Sequence, residues 1–368
     1  MHKHLTFFKI YFYLFPPILI LFICIQFYIA FPPTHIVIEA GPKGGFFSST
    51  AHFLKSVLEK YGVSAKVINV SDTTNIVRRL NKSDNNSHIG FIAQNLGDEK
   101  FENISSLGSV VLEPLLIFVR SDSGIDKISD LQGKKVAIGP VKSGVRVLGE
   151  EILSNYNINK DNTHFLPFNI LDSAASIQSK ESDAALFLLP TETQIIDELS
   201  KNREFKILSF DQSAAIKKHY HFLTDVVIPK GGFSLKDNLP PRDILSVAMP
   251  VSLIIKKDFS TSLEVIVAYE LKNKFKGETL LTDKNTMPGN YLENIKMNKH
   301  VINLYEDGIP VFLQKLPKKM SLILLGSMPT LSALIIIYII FGFCVSFVHT
   351  YIVSLELKEE YAKAHKKR

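Results

Sequence analysis

Two short stretches place glycine, hydroxyl and cationic side chains at spacings that suit the capture of an anion. In the first, GPKGGFFSS, Gly41, Gly44 and Gly45 separate the apolar run HIVIEA from a helical pattern. Phe47, Ala51, Leu54, Leu58 and Tyr61 share one face of that pattern. In the second, GPVKSGVR, Gly139 and Gly144 flank Ser143, and Arg146 lies in the first turn of the next helical pattern. A helix N-terminus carries unpaired N–H groups and the positive end of the helix dipole, so it suits an anion. Ser48 or Ser49 can add a hydroxyl, and Arg146 a planar bidentate partner for a carboxylate or phosphate. Phe46 is the freer ring of its pair, while Phe47 fits the core stripe. Each stretch also reads as a plain strand-to-helix turn, and Arg146 as half of a surface ion pair.

Other chemistry is poorly represented. There is no Gly-x-Gly-x-x-Gly, no phosphate loop ending in Gly-Lys-Ser/Thr and no Gly-x-Ser-x-Gly elbow. His219 and His221 are the closest histidine pair, but no further metal ligands accompany them, and exposed histidines at a helix end account for them. Asp72, Glu113 and Asp183 can each act as a base, or equally as a turn cap or salt-bridge partner. No acid, base and nucleophile set converges, so no enzyme, cofactor or metal is expected. Cys24 and Cys344 both lie in apolar runs, which implies no disulfide framework. The net charge is +6, concentrated at the two ends, so the body has no basic footprint for nucleic acid.

These residues need elements to hold them. Between the ends, apolar β-type runs alternate with helical patterns: HIVIEA, then SAKVINV, HIGFIAQN, LGSVVLEPLLIFVR, KKVAIGP, THFLPF, DAALFLLP and FKILSF, with helices between most of them. This alternation argues for parallel sheets with helices on both faces. Such sheets bind ligands outside the carboxyl ends of their strands, where both glycine-bearing turns fall.

The ends set the compartment. From Ile10 to Ile38 the only ionisable side chain outside the tyrosines and cysteine is His35, and from Met320 to Leu355 it is His349. Each run exceeds the ~20 apolar residues that cross a bilayer as a helix. Tyr28-Ile29-Ala30 lacks the small-x-small cleavage pattern, so the first run reads as an uncleaved anchor. Lys3 and Lys9 precede it, and Lys358, Lys363, Lys366, Lys367 and Arg368 follow the second run. Both termini are therefore expected in the cytoplasm and the body outside it.

With these residues assembled, a family resemblance emerges. The stretch GPKGGFFSSTAHFLKSVLEKYGVSAKVINVSDTTNIVRRL resembles the start of the TAXI-type solute receptors of TRAP transporters, within the type II periplasmic binding protein superfamily. The resemblance continues through HIGFIAQ, LGSVVLEPLLIFVR, ISDLQGKKVAIGPVKSGVR and DAALFLLP. YEDGIPVFLQKLP before a final span is similar to the membrane-anchored branch.

The resemblance implies an α/β fold of two Rossmann-like lobes with parallel or mixed sheets, flanked by N- and C-terminal transmembrane helices. Residues 1–33 would be the anchor, 34–120 with 222–310 lobe 1, and 121–221 lobe 2. Residues 320–350 would be the second span and 351–368 a basic tail. By position in the family pattern, the solute contacts would be Gly45, Phe46, Phe47, Thr73, Thr74, Gln94, Glu113, Ser143, Gly144, Val145, Arg146, Phe187 and Leu189. Phe47 stands where a tyrosine is expected, and Val145-Arg146 where Thr-Arg is more familiar. The implied function is hinge-closing capture of a small organic anion, an amino acid or carboxylate, for a TRAP-type permease in a bacterial inner membrane. A sensory role towards a membrane partner is the alternative.

Overall fold

The computed structural model describes residues 35–308 except 83, 85, 94, 96, 98 and 293, residues 315–365, and positions 17, 20, 21 and 24. The chain divides into two compact units. Pro33–Lys318 form one, and the C-terminal stretch from Lys319 belongs to the other.

The strands of the first unit are β1 (His35–Ala40), β2 (Ser64–Asn69), β3 (Ile89–Ile92), β4 (Ile104–Arg120), β5 (Lys135–Ala137), β6 (His164–Leu166), β7 (Ala184–Leu188), β8 (Phe205–Ile207), β9 (Thr224–Ile228) and β10 (Ile244–Lys256). Its helices are α1 (Phe46–Lys60), α2 (Ile76–Asn81), α3 (Gly144–Ser154), α4 (Ile170–Gln178), α5 (Gln194–Lys201), α6 (Ser213–His219), α7 (Thr261–Phe275) and α8 (Lys299–Asp307).

Along the sheet the order is β2-β1-β3-β10-β4-β7-β5-β6, with β8 added to β4 and β9 to β10. β1 runs parallel to β2 and β3, and β5 parallel to β6 and β7. These are the βαβ halves that the alternating pattern implies. β4 and β10 are antiparallel and run through both halves. β4 pairs with β10 from Ile104 to Pro114, then with β7 from Leu115 to Val119. Every residue of β4 except Arg120 is buried, so its sequence is a continuous apolar run rather than an alternating one.

Alternation along β4 still sorts its side chains between two cores. Leu115, Ile117 and Val119 pack with Leu148, Ile152, Leu188, Val247 and Met249. Leu116 and Phe118 pack with Phe187, Leu189, Ile196, Ile228 and Ile244. The change of partner at Pro114–Leu115 comes before the boundary expected at residue 120. Residues up to Met249 belong to the second core, well past the expected boundary at 221. A separate cluster of Val77, Leu80, Ile92, Ile104, Ile254 and Ile295 helps fill the first half.

In the second unit a helix, α9 (Lys318–His365), contains the segment Ile335–Glu359, whose most apolar 18-residue stretch has mean hydropathy 2.1. That segment is long and apolar enough to cross a bilayer and overlaps the expected span 320–350. The expected N-terminal anchor, 1–33, lies outside the described residues apart from four positions. The end of the Ile10–Ile38 run does not continue a span. From His35 it forms β1, with Ile36 and Ile38 in the core.

Candidate functional site

The turn from β1 into α1 is built by glycines in three different ways. Gly44 takes φ +86°, a left-handed conformation that suits a residue without Cβ. A Cβ on Gly41 would lie 3.2 Å from Cγ2 of Thr73, so this backbone sits close against the next loop. Gly45 is the N-cap of α1 and offers no side-chain acceptor, which leaves the first turn's N–H groups uncapped. A Cβ there would lie 3.8 Å from Cδ1 of Ile170, at the start of α4 in the other half.

The hydroxyls beside these glycines already have partners. Ser48 Oγ accepts from Asn69 Nδ2 at 2.9 Å, and the same amide donates to Gly41 O at 2.6 Å. Ser49 Oγ donates to Phe46 O at 2.9 Å. Phe47 stacks on Phe91 at 5.1 Å, as its place in the core stripe requires, and Phe46 tilts against Phe275 at 5.8 Å. Both rings are half-buried.

Thr73 and Thr74 lie in a 3-10 turn, Thr73–Asn75. Thr74 Oγ1 and Asn75 Nδ2 donate to the two oxygens of Asp72, at 2.9 and 2.7 Å. The hydrogen bond from Asn75 is the main cause that holds the Asp72 carboxyl below its ordinary range. Asp72 is thus a turn cap. Asp183 is engaged differently, its Oδ2 accepting from Lys135 N at 2.9 Å across the starts of β5 and β7.

In the second turn, Gly139 takes φ +95°, and a Cβ there would meet Val145 Cγ1 at 2.5 Å. Ser143 is the N-cap of α3. Its Oγ donates to Pro140 O at 2.7 Å and accepts from Arg146 N at 3.4 Å. A Cβ on Gly144 would lie 3.8 Å from the carbonyl oxygen of Ala93, in the loop after β3. The Arg146 Nε donates to Glu150 Oε1 at 2.8 Å, one turn along the same helix. The surface ion pair, the plainer of the two sequence readings, is what the structure contains at Arg146.

Glu113 stands directly across from Met249 and shares its face. That face belongs to the cluster against which Ala93 and Val145 pack, so Glu113 lies on the side where α3 meets the loop after β3. Only 5% of Glu113 is exposed, and no hydrogen bond or ion pair reaches it from the described residues. Burial pushes its carboxyl up to about 8.

Gly144, Val145 and Glu113 are therefore brought together, and Gly45, Phe46 and Phe47 lie at the start of α1 beside α4. Phe187 and Leu189 are not brought to Glu113. They point to the opposite face of β7, where Phe187 meets Phe118 edge-on at 5.8 Å. Their neighbour Leu188 occupies the Glu113 side. Gln94 lies outside the described residues. A recess of about 310 Å³ on the Leu112 face of β4, edged by Val226, Leu281 and Tyr291, contains none of the expected contacts. No group of three or more His, Cys, Asp or Glu able to hold a metal occurs among the described residues.

Sequence reasoning missed the side chains that fix these loops. Arg79 donates from Nε to Glu39 at 2.9 Å and from Nη2 to Asp72 O at 3.1 Å, which ties the Thr73–Thr74 turn to β1. Ser87 Oγ donates to the other Glu39 oxygen at 2.9 Å. An acidic residue inside the apolar run HIVIEA was the available signal for Glu39.

Residues 93–271 match the NMT1-like family. Among solved structures, the chain is similar to an ancestral arginine-binding protein bound to arginine, at 16% identity over 67% of this chain and 100% of that one, TM-score 0.40. It is similar to the alkanesulfonate-binding protein SsuA from Xanthomonas axonopodis pv. citri bound to MOPS, at 13% identity over 67% and 74%, TM-score 0.40. A third is the GluR0 ligand-binding core from Nostoc punctiforme in complex with L-glutamate, at 16% identity over 66% and 99%, TM-score 0.39.

Proposed function

We propose that this chain is a membrane-tethered solute receptor that captures a small organic acid, an amino acid or carboxylate, and delivers it to a TRAP-type permease. The single observation that carries the reading is the convergence of the two glycine-bearing helix starts on the junction of the halves. Gly45 comes beside Ile170, and Gly144 beside Ala93. Backbone N–H groups at both starts suit an anionic end of a solute. β4 and β10, which join the halves, are the elements about which the halves would close, and a solute that favours the closed form shifts that equilibrium.

The apolar segment Ile335–Glu359 supports a tether, which would keep the receptor at high effective concentration near its permease. In this reading an N-terminal anchor completes the attachment, both termini are cytoplasmic and the body is periplasmic. The contacts would come from Gly45, Phe46, Phe47, Thr73, Thr74, Gln94, Glu113, Ser143, Gly144 and Val145, with Arg146 held in reserve on Glu150.

The test is thermal unfolding of the full chain in lipid nanodiscs against a panel of small carboxylates and amino acids. A true solute at a hundredfold excess over its Kd stabilises by ~2.7 kcal/mol. No shift with any member of the panel would sink the reading. Recovery of the protein in the soluble periplasmic fraction would remove the tether.

A further inference from the structure

Three acidic side chains are buried among the described residues: Glu39, Glu113 and Glu264. Glu39 is held by Arg79 and Ser87, and Glu264 by Asn298 and His300. Glu113 has no partner among the described residues. The side chains on its face are Val111 and Leu115 from β4, Met249 from β10, Leu188 from β7, Val145 from α3, and Ala93. None is charged. The cation of α3, Arg146, is engaged by Glu150, and no charge, only burial, acts on the ionisation of Glu113. An ionised carboxylate is costly in such surroundings, so the empty cleft holds the neutral acid at pH 7.

We propose that Glu113 reads the charge of the solute: the captured molecule presents an ammonium group to it, and capture expels the proton that Glu113 holds in the empty cleft. The inference rests on the receptor reading above. In the exchange, the neutral carboxyl gives its proton to water. The resulting carboxylate accepts hydrogen bonds from the incoming ammonium, which keeps all its protons. One proton leaves for each solute bound, and no covalent bond to carbon changes. A simple carboxylate solute makes the opposite demand, because it needs Glu113 to stay protonated as a donor and so releases none.

The experiment is isothermal titration of the full chain in nanodiscs, in two buffers of different ionisation heat. L-alanine, 4-aminobutyrate and putrescine are the ammonium probes, and lactate and succinate the probes without one. The expected result is binding of an ammonium probe with release of about one proton per site at pH 7, where these probes are fully protonated, and of none at pH 9.5 once the proton taken up by the neutral amine fraction of the probe is subtracted. Glu113→Gln should bind that probe at least ~10-fold more weakly, the equivalent of ~1.4 kcal/mol, and release no proton. The inference is overturned if the tightest probe lacks an ammonium, or if Glu113→Gln releases the same number of protons. Absence of binding by every probe counts against the receptor reading and takes the inference with it. The empty protein supplies an independent arm: identical stability–pH profiles for wild type and Glu113→Gln would show that Glu113 holds no proton, whatever binds.

Discussion

Glu39 and Glu113 are both 5% exposed, and both sit on inner strands of the sheet. Glu39 receives a guanidinium at 2.9 Å and a hydroxyl at 2.9 Å, and through Arg79 it fixes a loop. Glu113 receives nothing from the described residues. A buried carboxylate with its partners in place is part of the scaffold, whereas one without them stores a demand that an incoming molecule can meet. The same residue type at the same depth therefore meets two environments, one that makes Glu39 structural and one on which the proposed binding role of Glu113 rests. The division is made by what stands opposite, not by burial.

The largest expected effect tests the unpartnered member. The Glu113 ionisation lies at about 8 in the folded chain and near the ordinary carboxylate range when unfolded. Its contribution is fully present below about pH 4.5 and is lost as pH rises towards 8. Wild type should lose ~1.4 kcal/mol per pH unit across that window, up to ~4–5 kcal/mol, relative to Glu113→Gln. Urea unfolding of both proteins from pH 4.5 to 9 reads the difference, and parallel profiles would put the two glutamates in one class.

The partnered member should fail in the opposite way. Arg79→Met takes the guanidinium away from buried Glu39, and should cost ~2–4 kcal/mol, towards the lower end because part of Arg79 is exposed. Adding Glu39→Met to it should restore much of the loss. If Arg79→Met alone proves neutral in urea unfolding, the pair does not hold the loop.

Two further changes sharpen the comparison at the second turn. Gly139→Ala puts a Cβ on φ +95° and 2.5 Å from Val145, so ~1–3 kcal/mol should be lost as the start of α3 is displaced. Hydrogen exchange in α3 should rise with it. Arg146→Ala removes only an i, i+4 pair with Glu150 and should change stability by ~0.5 kcal/mol or less. A larger loss in thermal unfolding would mean that Arg146 supports more than its own helix.

The pattern of β-runs and helical stretches was legible because each half is built of parallel βαβ units with apolar inner strands. The glycine turns were legible as well, since a left-handed φ at Gly44 and Gly139 leaves a residue-type signature. Which side chains share a face was not. Along β7 a shift of one residue changes the face, so Leu188 rather than Phe187 or Leu189 lies on the side of Glu113. Partners distant in sequence were also hidden. Arg79 lies 40 residues beyond Glu39, and no local pattern joins them. Arg146 was readable both as a free cation and as a paired one, and only the position of Glu150 on the same face decided it. The sharing of β4 and β10 between the halves was not legible, because Pro114 and Pro250 each remove a ladder donor and so blur a continuous strand.

The sharing of β4 and β10 has a consequence for how the chain emerges from the ribosome. The first half needs β10 to pair with β3 and to cover one edge of β4, and β10 begins only at Ile244. The second half has β4 through β8 once Ile207 is made, but its cores still lack Ile244, Val247 and Met249 of β10. Until β10 arrives, β3 and the first part of β4 present bare edges, the kind of surface that recruits other chains. Both halves thus wait for β10, the first for its pairing and the second for Ile244, Val247 and Met249 in its cores.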